Sequence, residues 1–204
     1  MNDDDNRNIF LWALLVLVLV QVLPYIFWSK PARADNQISI DQIGTYNTVA
    51  VTQDGTTHSA TVTMGKDSSV DNTYIAITQQ GTGAKTAAVD MPGGYNNSVV
   101  MFQDGAGNHT AAIQNLNGAA NNINFSQTGA GNHSMTVTGG VGTTNSGDTI
   151  NATQSGSGDK SFQLNLNGTT GATVNVQQTN PTTPNSGSMT IQCITCGTYN
   201  YIRQ

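Results

Sequence analysis

The sequence is poor in charge. Only 9% of its 204 residues are charged, and every acidic residue is Asp because Glu is absent. Beyond residue 34, the chain has nine Asp residues and only four basic ones: Lys66, Lys85, Lys160 and Arg203. A protein that binds nucleic acid usually carries a basic patch. The sequence therefore predicts no nucleic-acid partner.

Helix formers and metal ligands are also scarce. Beyond residue 34, leucine occurs only at Leu116, Leu164 and Leu166, which argues against an α-rich fold. The two cysteines, Cys193 and Cys196, form a lone C-x-x-C without the further nearby ligands that zinc needs. We interpret this pair as a candidate disulfide, formed with each other or with a neighbouring chain outside the cell. No metal or cofactor is expected.

One long apolar run stands at the front of the chain. Residues 9–28 read "IFLWALLVLVLVQVLPYIFW", which is long enough to span a bilayer as a helix. Ala32 and Ala34 follow in the A-x-A arrangement of a signal-peptidase site. Residues 1–34 are therefore interpreted as a signal peptide or a retained membrane anchor. Either interpretation places a second domain, residues 35–204, outside the cytoplasm.

The rest of the chain repeats itself. From Gln53 onward, a Gln-x-Gly motif recurs at an almost constant interval, and one further interval reaches a Gln without its glycine. A nearly fixed period of this size, about two dozen residues, is typical of a solenoid. The glutamines are Gln42, Gln53, Gln79, Gln103, Gln127, Gln154 and Gln178. The glycines of the motif are Gly44, Gly55, Gly81, Gly105, Gly129 and Gly156, and they are expected in turns.

Each glutamine is preceded by alternating apolar residues. Period-2 alternation predicts a strand with one buried face. The predicted apolar core comprises Val49, Val51, Ile75, Ile77, Val99, Met101, Ile123, Phe125, Ile150, Val174 and Val176. A second strand is predicted after each turn, at about 58–64, 84–90, 108–114, 132–138 and 159–165. Each unit is then strand, turn, strand, turn, and is too short to fold alone.

Stacking explains the abundance of amides. Rungs about 4.8 Å apart bring identical side chains into register, where Gln and Asn form hydrogen-bonded ladders. We expect an all-β, cross-β solenoid of six to seven rungs after residue 34, with a Gln ladder. A second ladder is predicted from Asn47, Asn108, Asn132 and Asp159.

The inward face of the second strand stays open at this point. One parity carries Thr110, Ala112 and Gln114. The other carries more apolar bulk, in pairs such as Ala111 with Ile113. Burial of the first set would leave the second as an exposed apolar stripe for lateral contacts.

The motif Gln-x-Gly-x-x-Asn resembles the curlin repeat. It is clearest at Gln42-Gly44-Asn47, Gln103-Gly105-Asn108 and Gln127-Gly129-Asn132. The resemblance implies a secreted subunit of a bacterial extracellular amyloid fibre, exported through an outer-membrane pore and helped by a nucleator. We therefore expect a homopolymer that supports the biofilm matrix at the cell surface, with matrix polysaccharide as a candidate partner.

Other functions are disfavoured. The Asp residues are scattered through predicted turns, and no Ser/His/Asp arrangement stands out, so the chain is not expected to be an enzyme. His58, His109 and His133 are interpreted as surface polar positions. The alternative function is a β-solenoid adhesin that does not polymerise or is held in a membrane, or a minor subunit that nucleates the fibre. The pattern begins almost at once, at Ile38 and Ile40. The near absence of polar caps favours self-addition.

Overall fold

The computed structural model describes residues 35–114, 119–139, 149–165, 173–180, 187–192 and 198–203. The regular structure in these ranges is β-strand, so the predicted all-β fold is confirmed for them. No helix long and apolar enough to cross a membrane occurs within these ranges. The predicted N-terminal helix lies outside the described residues, as do Cys193 and Cys196.

Two seven-stranded sheets contain most of the strands. Sheet I contains β2 (Thr48–Gly55), β5 (Tyr74–Gly81), β8 (Ser98–Asp104), β10 (Asn122–Thr128), β12 (Thr149–Gly156), β14 (Thr173–Asn180) and β16 (Thr198–Arg203). Sheet II contains β1 (Gln37–Gln42), β3 (His58–Met64), β6 (Lys85–Met91), β9 (His109–Ala112), β11 (His133–Thr136), β13 (Lys160–Asn165) and β15 (Gly187–Gln192). A small third sheet pairs β4 (Val70–Asp71) with β7 (Gly94–Tyr95).

The chain alternates between the two sheets as a coil. All strand pairs are parallel, and residues one turn apart lie side by side, as Gln53, Gln79 and Gln103 do. The predicted β-solenoid is therefore confirmed. Six to seven rungs were expected. The strands from β2 to β13 make about five complete turns, and β14, β15 and β16 continue the two sheets.

The core lies between the two sheets. On the sheet I side, the predicted apolar residues from Ile75 to Val176 are buried. Val49 and Val51, in the first strand of this sheet, are only partly buried. These two belong to the end of the stack, where only one neighbouring rung covers them.

The second strand faces inward with its apolar residues. Ala111 and Ile113 are buried, whereas Thr110 and Gln114 are exposed and Ala112 is half-buried. The same parity holds for the matching pairs in the other units: Ala87 and Val89, Met135 and Val137, and Phe162 and Leu164. The apolar bulk is thus placed inside the solenoid, and it leaves no lateral apolar stripe on these strands.

Candidate functional site

A column of glutamines runs through sheet I. Gln53, Gln79, Gln103, Gln127, Gln154 and Gln178 lie in register. All but Gln53 are buried. The Nε2 of each of the first four donates to the Oε1 of the next glutamine. The four donor–acceptor distances, in order along the chain, are 2.7, 2.9, 2.8 and 3.1 Å.

The same amide groups also join the two sheets. Gln79 Nε2 donates to Ser59 O at 3.0 Å, Gln103 Nε2 to Thr86 O at 3.1 Å, and Gln127 Nε2 to Thr110 O at 3.0 Å. Both hydrogens of each NH₂ are therefore used, one along the column and one across the core. A glutamate at such a position would supply neither donor.

Gln42 does not belong to this column, so that prediction was wrong. It lies at the end of β1 in sheet II, is exposed, and pairs in register with Met64. The physical reason is the spacing. The interval from Gln42 to Gln53 is less than half of the interval from Gln53 to Gln79, so Gln42 precedes the column by about half a turn of the coil. Gln42 and Gly44 accordingly mark the opposite corner, where Gly44 still has a positive φ of 135°.

The Asn108–Asn132–Asp159 column uses only side-chain oxygens. The backbone N of Asn108 donates to Asn132 Oδ1 at 3.0 Å, and that of Asn132 donates to Asp159 Oδ1 at 2.8 Å. Ala84 N donates in the same way to Asn108 Oδ1, at 2.9 Å. These side chains are exposed and cap the turn of the preceding rung. An acceptor is all that the position needs, which explains why Asp replaces Asn there.

Asn47 belongs to a different column, which corrects its predicted place. Its Oδ1 accepts a hydrogen bond from Thr73 N at 3.0 Å, at the corner before sheet I. Further along this corner, Asn121 Nδ2 donates to the Oδ1 of Asn97 at 2.9 Å, and both residues are buried. Asn97 and Asn121 were missed from the sequence. Each precedes a column glutamine by the same offset as Asn47 does, and this shared offset was the available signal.

The turn glycines stack directly on one another. Gly81, Gly105 and Gly129 have φ values of 91°, 114° and 113°. A Cβ on Gly105 would lie 2.3 Å from the carbonyl oxygen of Gly129 in the next rung. Conformation and space therefore both require glycine here. Gly55 and Gly156 also have positive φ.

Five buried basic residues form a column in sheet II, directly after these turns. We name this set the basic column: His58, Lys85, His109, His133 and Lys160. The prediction that the histidines are surface positions was wrong. The column was not recognised in the sequence because the first turn is one residue shorter: His58 follows its glutamine by five residues, whereas each of the other four follows its glutamine by six.

Backbone carbonyl oxygens contact the lysine Nζ and histidine Nε2 atoms of the basic column. Lys85 Nζ donates to the carbonyl oxygens of Gly83, Gly105 and Gly107 at 2.7, 2.9 and 2.8 Å. The Nε2 atoms of His109 and His133 lie 2.9 and 3.1 Å from the carbonyl oxygens of Asp104 and Thr128. The two imidazoles stack with ring centroids 4.9 Å apart and planes 11° apart.

Burial changes the titration of these groups. Desolvation lowers the pKa of His109 to about 4 and also lowers that of His133. Desolvation likewise lowers the pKa of Lys85, against an opposing attraction from Asp104. Each shift favours the neutral form of a base that is held away from water.

The comparisons with known proteins identify one family. Residues 34–63 match the family model described as Curlin associated repeat. The predicted resemblance to the curlin repeat is confirmed for that stretch, which contains β1, β2 and β3. Searches of curated proteins and of solved structures returned no match. A curlin repeat on a β-solenoid fits a structural subunit of the curli type. Within the part of the chain that the structure describes, no cluster of three or more metal-binding side chains occurs.

Proposed function

We propose that this curlin-repeat protein is a secreted structural subunit that adds to copies of itself, end to end, in an extracellular curli-like amyloid fibre of the biofilm matrix. The observation that carries the proposal is the pair of open ends. Among the described strands, β1 and β2 have a neighbour on one side only, and so do β15 and β16. Unpaired strand edges invite the addition of a further strand.

The order of the strands at the two ends would allow one copy to continue the coil of another. The described strands finish with β15 in sheet II and β16 in sheet I, and they start with β1 in sheet II and β2 in sheet I. A second copy that continues the coil would place its β1 beside β15 and its β2 beside β16. Every strand would then remain in its own sheet, with the parallel register of the subunit unchanged.

Apolar side chains at the first end support this arrangement. Ile38 and Ile40 lie in register with the buried Ala60 and Val62. They therefore occupy inward positions, but they remain 51% and 47% exposed. A strand added to sheet I above β2 would cover them. Burial of apolar area favours association at about 25 cal/mol per Å².

The glutamine column could also be extended at the end that Gln53 forms. Among the described residues, no donor reaches the Oε1 of Gln53, although its Nε2 donates to Gln79. In register with Gln178, β16 carries Arg203, a residue type whose side chain only donates hydrogen bonds. Stacking β16 on β2 would bring this position against Gln53.

The partners belong to the same proposal. The curlin-repeat family consists of structural subunits rather than enzymes, and its exported members pass an outer-membrane pore. We propose such a pore and a nucleating protein as partners, with matrix polysaccharide as a further one. We propose a bacterial cell-surface location, which the match to the curlin repeat supports.

Two proline variants of β2 test the end-to-end contact. Thr48 N donates to Thr73 O inside the subunit. Because successive N–H groups along a strand point to opposite sides, the N–H of Val49 faces the open edge and that of Ala50 faces β5. Val49→Pro should leave the fold intact and slow seeded elongation about tenfold or more. Ala50→Pro is the matched control, because it removes a donor within the subunit and should destabilise the fold.

Growth would be followed by thioflavin fluorescence with preformed fibres as seeds. Wild-type protein should show a lag that seeds remove. A wild-type chain that stays monomeric for days at high concentration, whether seeded or not, contradicts end-to-end assembly and supports the adhesin alternative. Normal elongation of folded Val49→Pro contradicts the proposed contact at β2.

A further inference from the structure

The histidine pair at the centre of the basic column has nowhere to place a second proton. In His109 and His133, Nε2 faces a carbonyl oxygen, which only accepts hydrogen bonds. Nε2 must therefore carry the hydrogen of the neutral ring. A second proton would go to Nδ1, and the Nδ1 atoms of both residues are buried without a hydrogen-bond partner among the described residues. Protonation would thus create a buried donor without an acceptor.

Some of the charged groups around the pair oppose protonation of the two rings, and others favour it. Lys85 on β6 neighbours His109 in the column, and Lys160 on β13 neighbours His133, while His58 lies beyond Lys85. Each new imidazolium would face a lysine and the other ring at a distance of about one rung. Asp104, at the end of β8, attracts His109, and Asp159, in the turn before β13, attracts His133. Desolvation outweighs this attraction at both rings.

We propose that the stacked His109–His133 pair is an acid-sensitive lock on the solenoid, whose rungs stay packed only while both imidazoles are neutral. Protonation in mild acid would open the middle of the coil and withdraw the chain from the folded, assembly-competent state. A return to neutral pH would restore the folded state. The lock acts on the folding of the subunit, so its existence does not depend on the proposed fibre.

The sign of the effect follows from linkage. The pKa of His109 falls from 6.5 to about 4 on folding, so only the unfolded chain binds this proton between those values. The contribution of His109 to stability is constant above about pH 7 and falls as the pH drops from about 6.5 towards 4. For His109 alone, the folding equilibrium constant should decrease roughly 50-fold between pH 7 and pH 4.5. His133 shifts in the same direction and adds to the loss.

The experiment compares urea unfolding of the full chain at several pH values. Wild-type protein should lose stability from pH 6.5 to pH 4.5. His109→Gln/His133→Gln keeps a side chain that can donate to the same carbonyl oxygens but cannot titrate, so it should lose much less. Thr110→His is the matched control, because it adds an imidazole on the exposed face of β9. It should follow the wild type.

Two outcomes overturn the proposal. One is a double variant with the same acid dependence as the wild type. If the double variant does not fold at pH 7, ¹⁵N spectra of the imidazoles in folded wild-type protein decide instead. Rings that remain neutral at pH 5 support the lock, and rings that titrate near pH 6.5 while the protein is folded overturn it. Neither readout requires fibres, so a chain that fails to polymerise still tests the lock.

Discussion

At the scale of single residues, glutamine is required in the middle of the sheet I column, where the amide of Gln79, Gln103 or Gln127 acts in three ways at once. It accepts a hydrogen bond from the previous rung, donates one to the next rung, and donates another across the core. Asparagine is one methylene shorter, and glutamate has no hydrogen to donate. The sequence predicts this column from Gln53 to Gln178 because every turn but the last carries the same Gln-x-Gly signal at a regular spacing.

Replacing two column residues with glutamate should be severe. Gln103→Glu/Gln127→Glu places two buried carboxylates on adjacent rungs and removes four hydrogen bonds donated by the amides. We expect a loss of several kcal/mol in the free energy of unfolding at pH 7. Gln163→Glu/Gln177→Glu, at exposed positions, is the matched control. Equal urea midpoints for the two double variants would contradict the burial of the column.

Gly105 offers a second test at this scale. Gly105→Ala combines a φ of 114° with a Cβ that meets the Gly129 carbonyl oxygen. The positive φ alone costs on the order of 1–3 kcal/mol, and relief of the clash must separate two rungs. Ala106→Ser, at the exposed neighbouring position, should be neutral in thermal unfolding. A Gly105→Ala protein as stable as this control would show that the turn can move.

The basic column could have been predicted but was not. The sequence carries Lys, His, His and Lys six residues after Gln79, Gln103, Gln127 and Gln154. Counting five residues instead aligned His58 with the asparagines, because the first turn is one residue shorter. Burial of these bases could not follow from composition. It depends on inward carbonyl oxygens that only the folded turns provide.

At the scale of the strand, sequence periodicity predicts where the strands lie better than it predicts which of their faces points into the core. The first strands are clear because a polar glutamine ends an apolar alternation. In the second strands, one parity continues the polar ladder pattern and the other carries more apolar bulk, so the sequence pattern leaves the inward face open. The structure decides it through volume, since Ile113, Phe162 and Leu164 fill space that Thr110 and Gln114 do not. Gln42 was assigned to the wrong column because the same Gln-x-Gly motif occurs at both corners of the coil.

Strand β9 provides a direct check of the facing. Ala111 is buried and Ala112, its neighbour, is half-buried on the outer side. Ala111→Asp places a charge in the core and should cost several kcal/mol in the free energy of unfolding. Ala112→Asp makes the same chemical change towards solvent and should cost much less. The reverse order, measured by urea unfolding, would mean that the second strands face the other way.

At the scale of the whole molecule, the number of strands in each sheet determines how far one subunit would extend an end-to-end fibre. Each main sheet contributes seven described strands. At about 4.8 Å per strand, one subunit advances an end-to-end fibre by about 34 Å. X-ray diffraction should show a meridional spacing of about 4.8 Å. Mass-per-length measurements by electron microscopy should give one subunit per advance of this length in a single filament. A filament with one subunit for every strand spacing of about 4.8 Å would instead indicate flat stacking of extended chains.

The glutamine column has a consequence for how such a fibre grows. The side-chain amides from Gln53 to Gln154 are all oriented the same way, so the column has a direction, and its tip at Gln53 presents an oxygen acceptor. A filament built in this way has two unlike tips, as actin does, and should lengthen faster at one of them. Two filaments that meet at like tips could not anneal. Two-colour microscopy of seeded fibres would reveal the asymmetry as unequal coloured segments on either side of each seed.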